Sequence, residues 1–108
     1  MKGLLEFAGY QEWQRSMDFY PQNSTTLAFH TLGLCGEAGE VAEKVKKNYR
    51  DQELSREDLL REFGDVLWYL SAVAGDLGYS LEDVARANIL KLEDRRRRGV
   101  ERGSGDHR

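Results

Sequence analysis

The 108-residue chain has little cysteine and little proline, with one of each, Cys35 and Pro21. One thiol cannot close an internal disulfide, and no charged-then-apolar leader stands at the start, so a cytoplasmic home is expected. So few prolines argue for closely packed regular elements over a loop-rich fold. The longest apolar run, Val66 to Leu70, falls far short of the roughly 20 residues a membrane-spanning helix needs, so no membrane partner is expected. Strict polar–apolar alternation is also missing, which removes the usual signature of a half-buried strand.

What remains fits one folded domain: 40% of the residues are hydrophobic, 32% charged and 10% aromatic, a balance that excludes global disorder. The formal charge of −3 is unevenly spread, because residues 91–108 hold seven Lys or Arg against four acids. An acidic body with a basic end fits either a nucleic-acid arm or a cation-binding body with a phosphate-binding end. The first is disfavoured, since the consecutive Arg95, Arg96, Arg97 and Arg98 circle a helix and form no single stripe.

Periodicity and stop signals predict four helices. The first runs from about Leu4 to Phe19, ahead of Pro21. The second is capped by Ser24, Thr25 or Thr26 and runs to about Tyr49. The third begins after Ser55, with Asp58 three residues on as a capping-box partner, and closes near Leu77 with Gly78 free to take a left-handed turn. Ser80 caps the fourth, which runs from about Leu81 to Arg98. Residues 1–98 thus form an all-α helical domain, and the glycine- and arginine-rich residues 99–108 form a tail.

On the second helix Leu27, Leu34, Ala38, Val41 and Val45 share one face, and His30, Gly33, Glu37, Glu40, Lys44 and Asn48 lie along its edge. The third repeats the pattern: Glu62, Asp65 and Tyr69 flank a stripe of Leu59, Phe63, Val66, Leu67, Leu70, Val73, Ala74 and Leu77. Packed side by side, the two helices bring Glu37, Glu40, Glu62 and Asp65 to one seam. Carboxylates crowded at the edge of a core repel one another unless a cation neutralises them, and oxygen ligands suit a hard divalent ion such as Mg²⁺. Either helix alone would read as an amphipathic helix with solvated acids; the paired arrangement makes the metal reading competitive. On the fourth helix Asn88, Lys91 and Arg95 form a ladder at i, i+3 and i+7 able to hold phosphate oxygens.

Glu37-x-x-Glu40, a gap of 21 residues, Glu62-x-x-Asp65 and then Asn88-x-x-Lys91 followed by Arg95 resemble the MazG-like, all-α nucleoside triphosphate pyrophosphohydrolases. The likeness covers Tyr10 to Arg95 and keeps the three elements in order. It implies a four-helix MazG-like bundle completed by oligomerisation, and Mg²⁺-dependent hydrolysis between the α- and β-phosphates, giving the monophosphate and pyrophosphate. Mn²⁺ is expected to substitute. By the same resemblance Glu37, Glu40, Glu62 and Asp65 hold the metal and serve catalysis, while Asn88, Lys91 and Arg95, with Lys44, hold phosphates. The tail looks like the Gly-Ser-Gly-Asp-x-Arg ending of some short members, so Arg102 and Arg108 are further candidate clamps that would order it over the substrate.

Trp13, with Tyr10 and Gln14, and His30 across the seam are candidates for contact with a nucleobase; the aromatic pair equally suits a core. Trp68 lies across the third helix from its apolar stripe, so that helix needs cover on two sides, and a homodimer or tetramer is expected. Gly33, Gly36 and Gly39 cost helix propensity, which close helix approach or ligand space should offset. A non-catalytic metal- or nucleotide-binding regulatory module is the alternative to an enzyme. A di-iron carboxylate bundle is set aside, because neither His30 nor His107 follows a glutamate by three residues.

Overall fold

The computed structural model describes residues 3, 5–51, 54–100, 103 and 105, and among them regular structure is helical only. The four helices are α1 (Phe7–Met17), α2 (Thr26–Asp51), α3 (Arg56–Asp76) and α4 (Leu81–Arg98). The third and fourth match the expected bounds to within a residue or so, because their end signals are local. Ser55 accepts from the Asp58 amide at 3.2 Å. Ser80 and Asp83 complete a reciprocal box at 3.0 and 2.9 Å. Gly78 and Gly99 take the left-handed conformation after the two helices, at φ 81° and 71°, which closes each without a Cβ clash.

The first helix is shorter than its apolar pattern suggests. Its C-terminal end is set at Asp18, which turns extended and accepts the Tyr20 amide at 2.9 Å. The side chain thereby offers the backbone an alternative to the next helical bond. Asn23 organises the rest of the connector, taking the Thr25 amide at 2.8 Å, while the Thr26 hydroxyl donates to the Pro21 carbonyl at 2.5 Å. The expected start of the first helix at Leu4 lies outside the described residues.

The long α2 and α3 pack antiparallel along most of their length, α1 lies against α3 and α4, and α4 touches α1 and α3 but not α2. Polar side chains make the α1 joint. Gln11, 4% exposed, donates to the carbonyls of Ser71 at 3.2 Å and Tyr79 at 3.1 Å and accepts the Leu81 amide at 3.3 Å. One amide thus ties α1 to the end of α3 and the start of α4. The fully buried Gln14 accepts from the Ser71 hydroxyl at 3.0 Å.

The apolar core of this single chain is thin: among the described residues Leu59, Ala72, Ala74 and Leu81 are the buried hydrophobic ones, while Phe29, Leu32, Leu60, Phe63, Ile89 and Leu90 stand exposed. The radius of gyration, 16.5 Å, exceeds the ~13 Å usual for a compact chain of about this length. Two expectations change here. Of the proposed α2 core face, Leu27, Ala38 and Val45 are exposed. Trp68 is not turned away from its neighbours: it is half-buried, with its ring 6.4 Å from that of His30. The reason is that α3 meets α2 along its acid–tyrosine edge, which leaves Phe63 and Leu77 of the apolar stripe uncovered.

Candidate metal centre

Antiparallel packing of α2 and α3 lines up three successive rungs between them. At the first, Glu37 from α2 meets Glu62 and Asp65 from α3, and one carboxylate oxygen of each lies within 4.8 Å of the others. Glu37 and Glu62 are half-buried and Asp65 is exposed. Partial burial pushes the Glu37 pKa up, and the charges of Asp65, Glu62 and Glu40 push it the same way. These groups form an all-oxygen donor set whose own repulsion a divalent cation would relieve. Glu40, expected as the fourth ligand, is exposed; it adds to the field on Glu37 but stands outside the close group. Lys44 places Nζ 3.9 Å from Glu62, one turn beyond Glu40.

At the second rung the ring of Tyr69 lies on Gly33, so closely that any Cβ at position 33 would run into it. This is the close approach expected of the glycine series, and it occurs at this position alone: a Cβ at Gly36 or Gly39 meets open space. Tyr69 shares a hydrogen bond of 3.0 Å with the Tyr20 hydroxyl. That bond, followed by burial and the nearby charges of Glu37 and Asp18, pushes its pKa up to about 12. From α1, Tyr10 is near enough for burial and the Asp65 charge to raise its pKa. Trp13 is half-buried, with its ring 5.5 Å from Tyr10. Through Tyr10 the first helix therefore borders the acidic rung.

The third rung holds His30. It is fully buried, with Nδ1 2.5 Å from Asp76 Oδ2 and Nε2 2.9 Å from Asp18 Oδ2. The second contact is a close ion pair that lacks the alignment of a hydrogen bond. Burial lowers the imidazole pKa, but the two carboxylates outweigh it and the net shift is upward. His30, expected to reach a nucleobase, is thus enclosed by protein and faces two acids. A cleft of about 530 Å³ lies beside this network, lined among others by Gln14, Arg15, Asp18, Tyr20, Asn23 and Asp76.

The ladder on α4 divides. Asn88 and Lys91 are exposed and line a groove of about 500 Å³ with Tyr79, Asp83, Val84 and Ala87. Arg95 is 4% exposed and donates to the Gly105 carbonyl at 3.1 Å, so its guanidinium is spent at least in part on the protein's own backbone. Within one chain α4 makes no contact with α2, the helix that carries Glu37. Arg102 and Arg108 lie outside the described residues. Sequence reasoning missed Asp18, Asp76, Gln11 and Ser71 as structural partners. The only signal for Asp18 was its place just ahead of Pro21, and nothing local marked Asp76.

Residues 25–100 match the profile of the MazG nucleotide pyrophosphohydrolase domain, a span that contains the acidic rung and the whole of α2, α3 and α4. The chain belongs to this family. It is 47% identical over 87 residues to the "Gene 37 protein" of Mycobacterium phage L5, covering 76% of each chain. It is 31% identical over 104 residues to the "Uncharacterized protein YvdC" of Bacillus subtilis (strain 168), covering 84% of this chain and 96% of that protein. No solved structure matches. Among the described residues no helix is long and apolar enough to cross a membrane.

Proposed function

We propose that this chain is a Mg²⁺-dependent nucleoside triphosphate pyrophosphohydrolase that cleaves (d)NTPs between the α- and β-phosphates. Monophosphate and pyrophosphate are the products, and the role is clearance of unwanted nucleotides. The observation that carries the reading is the convergence of Glu37, Glu62 and Asp65 from two helices in a chain of the MazG family. Hard oxygen donors with surplus negative charge suit Mg²⁺, and Mn²⁺ would fit the same ligands. When bound, the ion neutralises triphosphate charge and polarises the phosphoryl group.

The residues around that ion have separate tasks. Glu37, Glu62 and Asp65 hold it, with Glu40 completing the set from the outer turn. A neighbouring carboxylate takes the proton of the attacking water. Lys44, beside Glu62, meets phosphate oxygens, and Trp13 with Tyr10 borders the nucleoside side. Asn88 and Lys91 reach the phosphates from the α4 of a second protomer. That arrangement agrees with the separation of α2 from α4 in one chain and with the exposed apolar residues Leu32, Leu60, Phe63, Ile89 and Leu90. Burying those residues in a homodimer or tetramer supplies the core that a single chain lacks. Arg95 contacts the tail at Gly105, and Arg102 and Arg108, outside the described residues, are further phosphate clamps in this reading.

The test is pyrophosphate release from a panel of ribo- and deoxynucleoside triphosphates with and without Mg²⁺, on protein whose oligomeric state is measured by light scattering. Turnover should require the metal, and Glu62→Gln should reduce it by about 100-fold or more, on the order of 2.7 kcal/mol of barrier. A folded oligomer that turns over none of the panel removes the enzymatic reading.

A further inference from the structure

His30 is buried inside the α2–α3 seam between two carboxylates, remote from the acidic rung along the chain but connected to it through side chains. Seven residues separate it from Glu37, about 10 Å along the helix axis. Its two carboxylate partners come from different places: Asp76 from the last residue of α3, Asp18 from the connector that follows α1. Asp18 also accepts the Tyr20 amide through its other oxygen. Tyr20 sets its ring edge-on to the imidazole at 5.0 Å and joins its hydroxyl to that of Tyr69. Tyr69 in turn occupies the notch at Gly33 and feels the charge of Glu37.

We infer that His30 is a positioning residue for the acidic rung: held as an imidazolium between Asp18 and Asp76, it fixes Tyr20 and so the Tyr69 ring beside Glu37. This inference rests on the metal-binding part of the proposed function and needs nothing from its hydrolytic part. The physical argument is charge balance in a buried place. Two carboxylates whose side chains are only 10% and 13% exposed need a cation, and a neutral imidazole donates from only one of its two nitrogens. With the proton present, both carboxylates have a partner. Without it, one carboxylate faces a lone pair, and the connector carrying Asp18 is the part free to move away.

The surroundings favour the protonated form. The groups that face His30 are Asp76 and Trp68 from α3 and Asp18 and Tyr20 from the connector; Arg15 of α1 lines the adjoining cleft. The carboxylates touch the ring itself, and the upward shift of the imidazole follows from them. A group with a raised histidine pKa gives its full contribution below the ordinary value of about 6.5 and loses it as pH climbs through the raised value. The clamp is therefore closed below that raised value and opens as pH climbs through it, taking the order of Tyr20 and Tyr69 with it.

The experiment follows the His30 ring nitrogens by NMR on ¹⁵N-labelled full chain between about pH 6 and 10, a range that spans the ordinary and raised values. It also measures Mg²⁺ affinity calorimetrically at each pH. Both nitrogens should be protonated at pH 7 and titrate together above it. The ring signals of Tyr20 and Tyr69 should shift with the same midpoint, and Mg²⁺ affinity should fall in step. His30→Gln should weaken Mg²⁺ binding by about 10-fold at pH 7, the scale seen for groups that orient metal ligands, and should abolish the alkaline step. A His30 with one bare nitrogen at pH 7 overturns the inference. So does a titration that leaves the tyrosine signals unmoved, or Mg²⁺ binding by folded His30→Gln with the wild-type pH profile. Should that variant fail to fold, the wild-type titration decides alone. Missing pyrophosphate release with the coupled titration intact would sink the hydrolase reading and support the clamp. Hydrolysis with a neutral His30 would do the reverse.

Discussion

The two ends of the α2–α3 seam gather carboxylates in opposite electrostatic conditions. At the Asp18–His30–Asp76 end the protein supplies its own cation, buried and contacted on both sides. At the Glu37–Glu62–Asp65 end the charges push against one another; Lys44, 3.9 Å from Glu62 and one-third exposed, compensates them only weakly. The same residue type is thus used for structure where a countercharge is built in and is left poised for a ligand where it is not. Acidic residues alone do not make a metal site; an uncompensated and partly desolvated group of them is what an external cation can stabilise.

The largest effect that bears on this contrast is expected at the compensated end. Asp76→Asn leaves the buried His30 with one carboxylate and should cost about 3 kcal/mol of stability, read as a lower midpoint in urea. A change within error would mean that the pair is not balanced as described. At the uncompensated end, Mg²⁺ should raise stability by about 2.7 kcal/mol at 100 times its dissociation constant. The metal-free protein should also lose stability as pH rises from 4.5, the ordinary value for Glu37, through its raised pKa. A raised acid pKa means that the folded state binds the proton more tightly, so its advantage is at low pH. Added Mg²⁺ should accordingly release protons in that window, measurable as buffer-dependent heat.

Gly33→Ala sits between the two ends and pushes Tyr69 out of its notch, at a cost of about 1–3 kcal/mol from overpacking. It should uncouple the tyrosine signals from the His30 titration. The smallest effect has the opposite sign. Glu37→Gln removes a repelled charge and should stabilise the metal-free protein by about 0.5–1 kcal/mol at pH 7 while weakening Mg²⁺ binding. Amide replacements that destabilise both ends equally would erase the distinction between them.

Most of the helical layout was readable because its signals are local. Ser55 and Ser80 cap the helices they precede, Gly78 turns left-handed where the third helix ends, and the 3.6-residue period placed Glu37 on the same edge as His30 and Gly33. The acidic rung was readable as well, since two flanking pairs on adjacent helices leave few ways to pack. Trp68 misled because a helical wheel shows what is apolar but not which edge meets a neighbour. His30 misled because its partners lie 12 and 46 residues away in the chain, beyond any local pattern.

By itself the sequence determined the four helices, the membership in an all-α family and the placing of two acid pairs along the edges of two helices. These follow from capping chemistry, from periodicity and from spacing, all of which act within a few residues. Only the tertiary structure decided that Glu40 stands apart from Glu37, Glu62 and Asp65, that Arg95 turns to the Gly105 carbonyl, and that His30 is buried between Asp18 and Asp76. Those outcomes depend on which edges of α2 and α3 meet and on what desolvation then demands of each charge, and packing between distant segments sets both.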